Sequence, residues 1–220
     1  MKILFIGNSY TYYNELPSLF EKICGENGQS AEVYSVTSGG RYLRQNLDTE
    51  DACTLKLRNL VENHHFDICV LQEQSTYPLR DRESFLRDIL RVAEYMTPHT
   101  DRFALYATWG RQFGAKFLED LGITCETMAK ILYEAYQEAQ QRITSSTGMP
   151  VDVSPVGLTF ASVNRNPDID LYNPDLSHPS YEGSCLSAMV HYKTIFGHAP
   201  DSVGCLGLKP EISEYYFQAL

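Results

Sequence analysis

The 220-residue sequence has no apolar run approaching the ~18 residues of a membrane span, no Cys-x-x-Cys pair and no His-x-His. It also lacks internal repeats, low-complexity segments and linker-like stretches. Positive charge is scarce: Lys and Arg number 18 against 28 Asp and Glu, a formal net charge of −10. Each absence excludes something. Without a long apolar run the chain is not read as a helical membrane protein. Without clustered Cys or His it offers no spacing suited to a metal or a dithiol centre. Without a basic footprint it cannot neutralise phosphates, so nucleic acid is excluded as a partner. The start, Met1-Lys2-Ile3-Leu4-Phe5-Ile6 followed by Gly7, has neither the apolar core nor the small-residue cleavage site of a signal peptide. A cytoplasmic location is expected, or a secreted one if a leader was removed.

The six cysteines, at 24, 53, 69, 125, 185 and 205, are scattered singly and read as reduced thiols. Cys69 lies inside an apolar run and reads as a small buried hydrophobe. With 43% hydrophobic residues, a chain of this length can bury roughly 70% of its unfolded surface, enough for one domain over residues 1–220.

Short apolar runs alternate with helical spacing. Strands are expected at 3–6, 31–36, 67–71, 102–108 and 150–156. Helices are expected within 17–24, 55–64, 85–97, 125–144 and 181–196, with a short one at 212–220. The stretch 164–174 reads as a long loop. This alternation describes a parallel sheet covered on both faces, an α/β fold. In such sheets a ligand sits beyond the carboxyl ends of the strands. Segments 7–11, 38–42, 72–77 and 108–112, together with the loop after strand five, therefore share one rim.

On that rim lie residues that can do chemistry. Ser9 follows strand one in Gly7-Asn8-Ser9-Tyr10, where a helix N-terminus places both its hydroxyl and its N–H toward a ligand. Asp175 and His178 are three apart in Asp175-Leu176-Ser177-His178-Pro179, close enough for the carboxylate to orient the imidazole as a base. Gly40 follows strand two and can present an N–H. Gln72 and Gln74 follow strand three, and either carboxamide can face developing negative charge. Tyr10, Arg41, Trp109 and Arg111 are candidate substrate contacts, with Tyr12 and Tyr13 beside them. The adjacent His64 and His65 point to different faces and do not suggest a metal site.

The order Gly-Asn-Ser after strand one, Gly after strand two, a carboxamide after strand three and Asp-x-x-His-Pro before the last main helix resembles the SGNH (GDSL-type) hydrolases. The Gly-Asn-Ser-Tyr and Leu-Gln-Glu-Gln-Ser blocks look like a poorly characterised bacterial branch of that family. The resemblance runs from Lys2 to about Gly197 and implies a flavodoxin-like three-layer α/β/α sandwich with five parallel strands. It implies Ser9 as nucleophile, His178 as general base and Asp175 as its partner. The oxyanion hole would be Ser9 N–H, Gly40 N–H and the Gln74 side chain, with Gln72 as the competing candidate. No cofactor is implied. The expected reaction is hydrolysis of a short acyl ester, acetyl by preference, of a small polar or carbohydrate alcohol. The second reading is a non-enzymatic flavodoxin-like module that binds a phosphate or carboxylate at the Ser9 helix N-terminus.

Overall fold

A computed structural model describes residues 1–220. Five strands, β1 (Lys2–Gly7), β2 (Glu32–Thr37), β3 (Ile68–Leu71), β4 (Phe103–Tyr106) and β5 (Val151–Ser154), form one parallel sheet in the order β2-β1-β3-β4-β5. The order reverses between β1 and β3, which creates a crevice at their carboxyl ends. The helices are α1 (Ser9–Tyr12), α2 (Leu16–Glu26), α3 (Gln45–Asp48), α4 (Ala52–Asn63), α5 (Tyr77–Arg80), α6 (Arg82–Met96), α7 (Lys116–Leu121), α8 (Cys125–Thr147), α9 (Val156–Val163), α10 (Tyr181–Phe196) and α11 (Pro210–Ala219).

The period-two alternation of strand side chains divides the core into two layers. Ile3 and Phe5, Ile68 and Val70, and Ala104 and Tyr106 pack on the side of α2, α9 and α10. Leu4 and Ile6, Cys69 and Leu71, and Phe103 and Leu105 pack on the side of α4, α6 and the C-terminal half of α8. Helix α8 straddles the sheet edge: Met128 and Leu132 join the first layer, Ala135, Tyr136, Ala139 and Ile143 the second. The three-layer parallel fold matches the expectation. Each fully buried Leu, Ile or Phe contributes roughly 1.5–3 kcal/mol.

Most element boundaries lie within a few residues of those expected. The structure adds α9, which begins at Val156, the last residue of the expected fifth strand. Its burial nearly all round leaves no polar face to mark a helical period. A Cβ on Gly157 would stand 2.2 Å from the Thr108 carbonyl oxygen, so the glycine permits this close packing. The structure also adds the short α3, α5 and α7; four to six residues are too few for a periodic signal. The cysteines are all unpaired, and Cys69 is fully buried in the second layer.

Candidate active site

The β1–α1 turn brings Ser9 to the rim. Asn8 caps α1, its side-chain oxygen accepting from Tyr10 N–H at 3.1 Å, while its Nδ2 donates to the Arg41 carbonyl at 3.0 Å. The second bond needs an amide: an ionised Asp has no donor to make it. Asn8 thus fastens the loop carrying Gly40 to the turn carrying Ser9. Beneath the turn, Gln72 Oε1 accepts from Asn8 N–H at 2.8 Å and from Thr11 Oγ1 at 2.9 Å. Gly7 permits that approach, because a Cβ there would lie 2.6 Å from Gln72 Oε1 and 2.4 Å from Thr11 Oγ1.

His178 Nε2 lies 2.9 Å from Ser9 Oγ, and its Nδ1 lies 2.5 Å from Asp175 Oδ2. The other Asp175 oxygen accepts from the N–H groups of Ser177 and His178 at 3.0 and 2.8 Å. Partial burial pushes the Asp175 carboxyl up, but the bonds from the His178 ring and from these two N–H groups prevail and hold it below its ordinary value. Asp175 is therefore an anion at neutral pH, placed to fix the imidazole tautomer. Leu176 sits at φ 60° inside this turn. The loop is tied to the β4 exit by bonds from Trp109 Nε1 to the Ser177 carbonyl at 3.0 Å and from Gln112 N–H to the Leu176 carbonyl at 2.9 Å. Tyr13 stacks on the His178 ring with centroids 4.4 Å apart, and Asn14 Nδ2 holds the Pro179 and Ser180 carbonyls.

Ser9, Gly40, Gln74, Arg111 and His178 line one cavity of about 210 Å³, with Asn8, Tyr10, Ser75 and Ser177 completing its wall. Ser9 N–H is the first of its helix and has no intrahelical acceptor. Gly40 has φ 65° and its N–H donates to no protein acceptor. Gln74 Oε1 accepts from Thr76 N–H and Oγ1 at 2.9 and 3.0 Å, which leaves its NH₂ unoccupied at the cavity wall. Gln72, the competing candidate, is turned away: it is buried beneath the Ser9 turn and its NH₂ donates to the Glu73 carbonyl.

Two proposed substrate contacts are corrected. Arg41 is 7% exposed and folds back into its own loop, pairing with Asp51 at 2.6 Å and bonding Asn46 and the Gln45 carbonyl. Trp109 is fully buried, sandwiched between Tyr10 and Phe160 at centroid distances of 4.6 and 4.2 Å, so it supports Tyr10 and does not reach the cavity. Tyr10 and Arg111 do line the cavity. His64 and His65 face separate partners, Lys2 Nζ at 3.3 Å and Asp101 at 2.8 Å. A larger open groove of about 710 Å³ beside α11 has no histidine or arginine in its wall, and its acids are Asp201 and Glu214.

One residue escaped the sequence reading. Glu73 is fully buried, and its Oε1 accepts from Leu43 N–H at 3.0 Å and Gln74 N–H at 2.6 Å. It joins the loop after β2 to the loop after β3, the two loops that carry Gly40 and Gln74. Burial pushes its carboxyl from 4.5 up to about 8, against the two N–H bonds. The folded protein then holds a proton that the unfolded chain has released between those values, so stability falls as pH rises through that window. Melting temperatures at pH 5 and pH 8.5 are expected to show a larger drop for wild type than for Glu73→Gln.

The chain resembles several solved structures. A protein from Slackia heliotrinireducens assigned to the SGNH hydrolases is 26% identical, with 89% of this chain and 98% of that one covered at a TM-score of 0.72. A DUF4886 family protein from Bacteroides uniformis is 16% identical over 100% of this chain and 92% of its own, with a TM-score of 0.75. An acetyl xylan esterase is 13% identical over 89% and 100%, with a TM-score of 0.59. No protein-family model matches the sequence, and no curated protein does either.

Proposed function

We propose that the chain is an SGNH-type hydrolase, a serine esterase removing a short acyl group, acetyl by preference, from a small polar or carbohydrate alcohol. The observation that carries the reading is the continuous chain of contacts from Asp175 through His178 to Ser9 Oγ at the wall of a cavity edged by unoccupied N–H donors. Ser9 Oγ attacks the ester carbonyl while His178 Nε2 takes its proton. The carbonyl oxygen becomes an oxyanion held by the N–H groups of Ser9 and Gly40 and the NH₂ of Gln74. Asp175 stabilises the imidazolium. His178 then returns the proton to the departing alcohol, leaving an acyl-enzyme. Water, deprotonated by the same imidazole, attacks the acyl carbonyl, and Ser9 leaves with its proton restored.

The preference for a short acyl group is supported by the cavity's size, about 210 Å³, and by a wall in which Tyr10 is the one hydrophobic residue. A long chain would find little apolar surface there to bury. The likeness to an acetyl xylan esterase agrees with it. The test is a series of p-nitrophenyl esters: kcat/KM is expected to be highest for acetate and to fall through butyrate to octanoate. A rise toward octanoate would overturn the short-acyl preference.

The two glutamines are expected to separate cleanly. Gln74→Ala removes one oxyanion donor and should lower kcat about 10²- to 10³-fold with little change in melting temperature. Gln72→Ala strips the buried Asn8 N–H of its acceptor and should destabilise the fold by about 1–3 kcal/mol. Paired kinetics and thermal melts check both.

A further inference from the structure

Arg111 is unlike every other sheltered arginine in the molecule. Arg41, Arg44, Arg58, Arg82, Arg102 and Arg142 are all less than fully exposed, and each has a carboxylate within 4.0 Å. Arg111 is also sheltered, yet no carboxylate lies within that distance. Its guanidinium is fixed by two hydroxyls alone, Ser177 Oγ and Ser75 Oγ, the second at 3.1 Å, and rests 5.4 Å above the Tyr10 ring. Asp175, whose charge reaches Arg111, is committed to His178 and two backbone N–H groups.

A cation withdrawn from water without a counter-ion is costly, and the cost is relieved when an anion arrives. The surroundings suit one. No Asp or Glu lines the cavity. Ser75 Oγ accepts from Arg111, so its own proton is free to donate, and the Gln74 NH₂ stands beside it. The wall therefore offers donors and one positive charge. A guanidinium held on two sides has a planar edge left that matches a carboxylate in bidentate fashion. Because Ser9 and Arg111 line one cavity of about 210 Å³, a single small molecule can place an anion on Arg111 and its scissile carbonyl at Ser9.

We propose that Arg111 is a specificity-determining residue and that the substrate is an ester carrying a carboxylate close to the scissile bond. This rests on the serine esterase reading above. The protein's net charge of −10 repels anionic polymers at long range. A single carboxylate on a small ester is instead captured locally, inside the cavity.

The carboxylate can lie on the alcohol or on the acyl side, and two substrate pairs distinguish these. The alcohol-side pair is 2-acetoxypropanoate against 2-acetoxypropanamide; the acyl-side pair is ethyl hydrogen succinate against ethyl succinamate. Each pair differs by carboxylate against carboxamide. Wild type is expected to favour the carboxylate in one pair by about 10- to 100-fold in kcat/KM, the range of a charge-assisted hydrogen-bonded contact. Arg111→Gln is expected to bring that ratio to about 1, whatever it does to absolute rates, and Arg111→Lys to restore part of it. A wild-type ratio near 1 in both pairs overturns the proposal. So does an Arg111→Gln variant that slows both members equally, since that marks an oxyanion or structural role. Turnover of p-nitrophenyl acetate with none of the four esters accepted also overturns it while leaving the esterase reading intact. Loss of the esterase reading itself would show differently, as no turnover of any ester.

Discussion

Replacing Ser9 with alanine is expected to lower kcat on p-nitrophenyl acetate by about 10⁴- to 10⁶-fold, and His178→Ala by a similar factor. The two side chains act as one unit. Ser9 Oγ is a poor nucleophile until the imidazole 2.9 Å away takes its proton, and every later proton the imidazole moves belongs to the reaction that Ser9 begins. The double variant should therefore lose little more than either single one. The residual rate would come from the N–H groups that still face the cavity. Neither change disturbs a buried layer of the core, so melting temperatures should stay near wild type. Wild-type turnover from both single variants would remove Ser9 and His178 from the mechanism.

Asp175→Asn is expected to cost about 10³- to 10⁴-fold in kcat, with KM little altered. The carboxylate does two things at once. Oδ2 accepts a hydrogen bond from His178 Nδ1–H, which keeps the proton on Nδ1 and so presents Nε2 as an acceptor to Ser9. Oδ1 closes the turn through the N–H groups of Ser177 and His178. An amide keeps the shape and can still close the turn through its oxygen. If its NH₂ then faces the ring, it donates to Nδ1 and drives the proton to Nε2, the wrong nitrogen for a base. Asp175→Ala should lose the turn bonds as well and cost stability in addition. Steady-state kinetics with thermal melts separates the two effects, since Asp175→Asn should move kcat alone.

The strand positions and the two-layer packing were legible because short continuous apolar runs differ from longer amphipathic stretches of helical period. Ile3–Ile6 and Ile68–Leu71 read as strands because each is a short run of consecutive apolar residues, as a strand buried on both faces requires. Helix α10 lies where a helix was expected, at 181–196, whereas α9 carried no polar face to betray it. At the rim, residue order along the chain identified what the structure brings together: Ser9, Gly40 and the Asp175–His178 pair come from three separate segments and meet at one cavity or in direct contact with it.

Side-chain direction was not legible. Gln72 and Gln74 are two residues apart in a segment leaving β3, and no local pattern states which turns beneath the Ser9 turn and which lines the cavity. Arg41 and Arg111 look alike in sequence, yet the first finds Asp51 ten residues on and folds inward, while the second finds hydroxyls. Trp109 followed a strand end, as a substrate contact would, but its ring fills the space under Tyr10. Glu73 was hidden by its neighbours: a carboxyl between two glutamines reads as a polar loop, and only the packed structure shows it joining two loops from the interior. Asn8 did carry a signal. Its amide, in the Gly-Asn-Ser turn, can donate as well as accept, and it donates to the Arg41 carbonyl.

The central claim is that Ser9 is a nucleophile activated by His178, and covalent labelling with a fluorophosphonate tests it most directly. The account predicts stoichiometric phosphonylation of wild type at Ser9, located by peptide mass spectrometry, with labelling abolished in Ser9→Ala and strongly slowed in His178→Ala. An unlabelled wild-type protein whose melting temperature rises with inorganic phosphate would contradict it, and would point instead to an anion-binding module at the Ser9 turn.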